Sequence, residues 1–176
     1  MKLLLLILLT VGLYAETDKA LYKELNNLTY SQSRILVKTF MNAKTFDYEY
    51  TMTAIAWHES HFGRYMINLR DPSFGVFHNN IRSVANRHNV KVGSWKASRL
   101  AESLVLDYDF SFAESLSELK YWDNYYKGKY KAWSSTVMSY NAGFKKENGA
   151  KYLQAIKQKI KILKKYFKAK DFAFSK

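Results

Sequence analysis

The sequence predicts an all-α domain, and three observations carry that expectation. Its 176 residues include one proline and seven glycines, so helix breakers are scarce. No run of strict apolar and polar alternation is long enough to make a convincing strand. Apolar residues instead recur at three- and four-residue spacing, in segments separated by short turns.

Helices are expected from Asp18 to Leu28, from Ser33 to Ala43, and from Tyr48 to His61 with Asp47 as the N-cap. In the third of these Met52, Ile55, Ala56 and Phe62 share a stripe, and Glu59 falls among them where a leucine would suit a purely structural face. Burial disfavours the ionised form of a carboxyl, and such an environment turns a glutamate into a general acid; a slightly rotated helix would instead leave Glu59 solvated at the edge of the stripe. The longest break in helical pattern follows directly, from Gly63 to Phe77, and long connections beside a candidate acid tend to be functional. Helices resume from Asn80 to Arg87, Lys96 to Asp107 and Phe112 to Tyr126, the last opened by Ser111-Phe112-Ala113-Glu114 as a capping box. One more is expected from Lys131 to Tyr140, where Trp133, Val137 and Tyr140 continue a stripe. The final helix runs from Ala150 to Lys168, with Ile156, Ile160, Leu163 and Phe167 on one face and lysines over the remainder.

Lys2, the apolar run Leu3–Leu13 and the small residue Ala15 have the form of an export signal at residues 1–15, which leaves residues 16–176 as one domain. The expected location is the periplasm. There is no cysteine, so a domain exported in this way relies on packing rather than disulfides, and thiolate zinc sites are excluded. A formal charge of +13 draws the chain to anionic polymers or surfaces. Export argues against nucleic acid, which leaves cell-wall polymer, lipopolysaccharide or anionic membrane.

His58-Glu59-Ser60-His61 comes close to the zinc motif His-Glu-x-x-His, but its histidines stand at i and i+3 rather than i and i+4, so no metal or other cofactor is expected. A different pattern joins three separated segments: Glu59-Ser60-His61-Phe62, Gly75-Val76-Phe77-His78 and Tyr140-Asn141-Ala142-Gly143. Together they resemble the catalytic domain of the soluble lytic transglycosylases, a lysozyme-like family related to the goose-type lysozymes. That family carries its acid in Glu-Ser-x-Phe, lines its cleft with Gly-Leu-Met-Gln and packs Tyr-Asn-Ala-Gly beside the acid. Here the first and third motifs match residue for residue, while His78 stands where the family has glutamine.

The resemblance implies a lysozyme-like helical fold acting, as a monomer, on peptidoglycan glycan strands. Glu59 would be the catalytic residue, with Ser60, Phe77, His78, Tyr140 and Asn141 in substrate binding. It further implies cleavage of the MurNAc-GlcNAc bond to leave 1,6-anhydromuramic acid, with one acid in place of the usual two carboxylates. Asp71, beside Arg70 in the long connection, is the alternative second carboxylate, though an ion pair with Arg70 that orders the loop is the expected role. Glu102, Asp107, Asp109, Glu114, Glu118 and Asp123 read as solvated surface charge. The rival readings are a lysozyme-type muramidase that uses water, a non-catalytic peptidoglycan-binding protein, and a cationic membrane-disrupting protein acting through its last helix. Wall turnover, passage of a secretion or flagellar apparatus through the wall, and attack on other cells all fit the resemblance.

Overall fold

A computed structural model describes residues 16–167; the export segment expected at residues 1–15 and the last residues of the basic tail lie outside them. The fold is all-α, as the breaker-poor sequence predicts. Helix α1 covers residues 16–26, followed by α2 (Tyr30–Lys44), α3 (Glu49–Ser60), α4 (Ile81–Arg87), α5 (Trp95–Leu106), α6 (Tyr108–Tyr126), α7 (Ala132–Ala142) and α8 (Ala150–Tyr166). A single 3-10 turn at Lys146–Gly149 joins α7 to α8. Among the described residues no helix is long and apolar enough to cross a membrane.

The break after α3 is more ordered than the sequence suggests. Three two-residue strands, β1 (Ile67–Asn68), β2 (Ser73–Phe74) and β3 (Asn79–Asn80), form an antiparallel meander in which Ile67 pairs with Phe74 and Ser73 with Asn80. Strands this short leave no readable alternation, so periodicity misses them. Gly75 ends β2 at φ +81, and a Cβ there would overlap the Leu104 carbonyl oxygen and come within 2.5 Å of the Ser111 hydroxyl. A glycine is therefore needed both for its backbone angle and for the close approach of the meander to α5 and α6.

Helix α3 is the axis of the molecule, packed by α2 on one side and α8 on another. Every residue from Thr51 to Trp57 is buried, which corrects the expected single stripe: a helix wrapped by neighbours is buried all round. Met52, Ile55, Ala56 and Phe62 are indeed in the core, but so are their flanking residues, and Glu59 marks the place where the helix end emerges. The α8 face reads as expected for Ile156, Leu163 and Phe167, and Ile160 packs at its edge.

Helices α1, α4, α5 and α7 begin within two residues of expectation, and the starts or caps of α2, α3 and α6 differ in ways the structure explains. Helix α2 begins at Tyr30 behind a capping box of Thr29 and Gln32, and the Gln32 amide also donates to the His61 carbonyl at 2.9 Å. Tyr48 rather than Asp47 precedes α3 and makes no side-chain cap, while Asp47 takes φ +61 to turn the chain after α2. The expected capping box at Ser111 and Glu114 does not form. Asp107, the joint between α5 and α6, caps α6 instead by accepting from the amides of Asp109 and Phe110, which puts Ser111 inside the helix.

Candidate active site

A cleft of about 380 Å³ opens where the C-terminal end of α3 meets the meander and α7, and it brings together segments far apart in sequence. Glu59 comes from α3, Asp71 from the β1–β2 turn, His78 from the turn before β3, and Tyr140, Asn141 and Gly143 from the end of α7. Gly143 ends α7 at φ +60 and ψ −139, an angle pair that glycine alone adopts without strain, so the chain turns sharply and leaves the cleft mouth free of a side chain.

Glu59 is 16% exposed through its side chain, and His78 Nδ1 lies 3.3 Å from its Oε2. The other imidazole nitrogen, Nε2, sits 2.7 Å from the Tyr65 carbonyl oxygen. Burial by itself lowers the pKa of His78, but the Glu59 carboxylate beside it and the hydrogen bond to the Tyr65 carbonyl outweigh burial and raise it above the ordinary 6.5. His78 adopts φ +46, in the left-handed region that few residues other than glycine, asparagine, aspartate and histidine visit. That backbone is held in place by Tyr140, whose hydroxyl donates to the Phe77 carbonyl at 3.2 Å and shares a 2.8 Å hydrogen bond with Ser115.

The expected site residues therefore divide. Glu59, His78, Tyr140 and Asn141 line one cleft. Ser60 and Phe77 do not, because both are fully buried. The Ser60 hydroxyl donates to the Val76 carbonyl at 2.7 Å and accepts from the Gly63 amide at 2.8 Å, tying the end of α3 to the segment that carries His78. Phe77 packs edge-on against Phe112 in the core. Tyr140 borders the cleft, yet its hydroxyl is spent on Phe77 and Ser115, so it fixes the loop rather than steadying the carboxylate.

His58 and His61 diverge. His61 turns to α1, where its Nδ1 meets Glu24 at 2.8 Å beside the Trp57 indole, which donates to the same carboxylate at 2.6 Å. His58 sets its ring against Tyr152, and burial, partly offset by Glu59, lowers its pKa.

Several features of the cleft and its surroundings were not legible as such. Tyr152, at the start of α8, has a buried hydroxyl with no partner in good hydrogen-bond geometry, yet it is close enough to feel the Glu59 carboxylate, which adds to burial in raising its pKa well above 10.0. Its ring stacks at 6.5 Å on that of Tyr140. In sequence it is one more apolar position of a basic helix, and nothing marks it. Arg87 lines the cleft and pairs with both Glu114 and Glu118, while His88 meets Glu114 at 2.7 Å. Glu114 is thus a buried partner in a charge network, correcting its reading as solvated surface, and Glu118 lines the cleft while also accepting from the Trp122 indole at 2.7 Å. Asp71 accepts from the Asn80 amide at 2.9 Å, and no ion pair joins it to Arg70 among the described residues. Trp122 and the exposed Phe144 meet edge-on at 4.9 Å and give the cleft an aromatic end.

A carboxyl placed this way can donate a proton to, or take one from, a group lying in the cleft. Carboxamide side chains and an aromatic end flank it, a wall suited to polyhydroxylated ligands with apolar faces. No protein-family model, curated protein or solved structure matches the chain.

Proposed function

We propose that the protein is a lytic transglycosylase with a lysozyme-like fold, exported to the periplasm, that cuts the MurNAc-GlcNAc bonds of peptidoglycan. The observation that carries this reading is that each of the three motifs sends residues to one cleft: Glu59 from the first, His78 from the second, and Tyr140, Asn141 and Gly143 from the third. Glu59 passes its proton to the glycosidic oxygen as the C1–O bond breaks, and the N-acetyl group of the muramic acid steadies the positive charge left at C1. The carboxylate so formed takes the proton of the same sugar's 6-hydroxyl, whose oxygen bonds to C1. No water is consumed, and the tethered hydroxyl has the high effective concentration of an intramolecular nucleophile.

One observation favours a second reading. Asp71 lines the same cleft and is held by a neutral amide rather than a cation, so a muramidase in which it places a water is the alternative. Digestion of purified peptidoglycan with mass analysis separates them. Products ending in 1,6-anhydromuramic acid, one water lighter and without a reducing end, support the transglycosylase; reducing muropeptides as the main product overturn it, and absence of cleavage with retained binding leaves a wall-binding protein.

A further inference from the structure

The contact between Glu59 and His78 has a polarity set from outside. A backbone carbonyl only accepts, so the 2.7 Å contact with Tyr65 requires His78 Nε2 to carry a hydrogen in every state of the ring. Nδ1 is then the nitrogen that gains or loses a proton, and it faces Glu59 Oε2 at 3.3 Å. With neither group protonated, two lone pairs would oppose each other across that gap. One proton between them makes a hydrogen bond, charge-assisted when it sits on nitrogen. The left-handed turn at His78, the 2.7 Å contact with the Tyr65 carbonyl and the pinning of Phe77 by Tyr140 hold the ring in this position.

We propose that, whenever the pair carries a proton, Glu59 and His78 hold it in common, with His78 as the store that keeps the acid of the cleft loaded. The proposal rests on the reading of Glu59 as that acid. Loading breaks Nδ1–H and forms Oε2–H with the net charge of the pair unchanged. In the proposed cycle the Oε2 proton leaves for the glycosidic oxygen and the 6-hydroxyl proton returns, so the pair ends with the proton it began with.

The surroundings are consistent with a single mobile proton. His58 on α3 has its pKa lowered by burial, and the hydroxyls of Tyr140 on α7 and Tyr152 on α8 are pushed up by burial and by Glu59, so all three stay neutral near pH 7. Of the other charged groups lining the cleft, Arg87 and Glu118 pair with each other and Asp71 is held by Asn80.

Nitrogen-15 NMR of histidine-labelled protein tests this without reference to turnover. The four histidines are assigned with His78→Gln as the reference that loses one set of signals. The expected result is a His78 ring that is hydrogen-bearing at Nε2 when neutral and titrates above 6.5 in the wild type. In Glu59→Gln, whose amide can donate to Nδ1 and so favours the neutral ring, the titration falls by about one pH unit or more. A neutral ring protonated at Nδ1, or the same titration in both proteins, overturns the proposal. Wall turnover measured in parallel keeps the two readings apart: a protein that shows the paired titration but cleaves no wall keeps the shared proton and loses the proposed function. Where turnover is present, His78→Gln should move its alkaline limit to lower pH, and an unmoved limit would overturn the storage role.

Discussion

Replacing Ser60 by alanine distinguishes a residue that touches substrate from one that holds the site together. The hydroxyl is fully buried and makes its two short contacts with backbone groups, the Val76 carbonyl at 2.7 Å and the Gly63 amide at 2.8 Å, beside a longer one of 3.4 Å to the Ala56 carbonyl. Alanine leaves both without that partner, and an unsatisfied buried polar group costs about 1–3 kcal/mol. The Val76 carbonyl has no path to water through a fully buried neighbour, whereas the Gly63 region is only partly covered, so the sum should be about 2–4 kcal/mol. For a domain of this length that corresponds to a fall in Tm on the order of 5–12 °C by calorimetry. Because the same bonds set the end of α3 against the segment bearing His78, kcat for wall digestion should fall with little change in KM. An unchanged Tm with a raised KM would refute the structural role and return Ser60 to the substrate.

Glu59→Gln keeps the shape of the side chain but removes its proton, and should lower wall turnover by about 10²-fold or more while leaving peptidoglycan pull-down, and Tm at pH 9 where His78 is neutral, close to wild type; retained activity would move the acid role to Asp71. Asp71→Asn should leave the anhydro products and most of the rate intact, and loss of activity with reducing products in the wild type would establish the muramidase instead. Gly75→Ala places a Cβ against the Leu104 carbonyl and the Ser111 hydroxyl at a left-handed angle, and should cost about 2–4 kcal/mol in a denaturant titration, with wild-type stability as the refuting result. The raised pKa of His78 contributes stability that is fully present below about 6.5 and is lost as pH climbs through the raised value. The wild type should therefore exceed His78→Gln in Tm by more at pH 6 than at pH 9, and a gap independent of pH would contradict the pairing with Glu59.

The helix count among the described residues and the companionship of Glu59, His78 and Tyr140 were legible without the structure. Apolar spacing and scarce breakers determined that α2, α3 and α8 exist, because a helix needs only a local run of suitable residues. What the spacing could not report is what each face meets. The sequence showed Met52, Ile55 and Ala56 as apolar, yet only the packing of α2 and α8 around α3 made that helix central and left Glu59 at its emerging end. The same limit explains the misplaced start of α6: Ser111 and Glu114 have the spacing of a cap, but Asp107 is a nearer cap and Glu114 has Arg87 and His88 to meet across 27 and 26 residues of chain.

Buried polar partners are where sequence and tertiary structure part most clearly. A glutamate in a buried network and a glutamate in water are the same letter, and Tyr152 near Glu59 looks like any apolar position of a basic helix. By itself the sequence determined the all-α class and the residue types available for acid chemistry, since composition and local period suffice for both. Only the tertiary structure decided that Ser60 and Phe77 support the site from the core, that the His78 ring is clamped between Glu59 and the Tyr65 carbonyl, and that Asp71 shares the cleft. Each of those facts depends on distance and direction between segments far apart in the chain, which no pattern along one segment encodes.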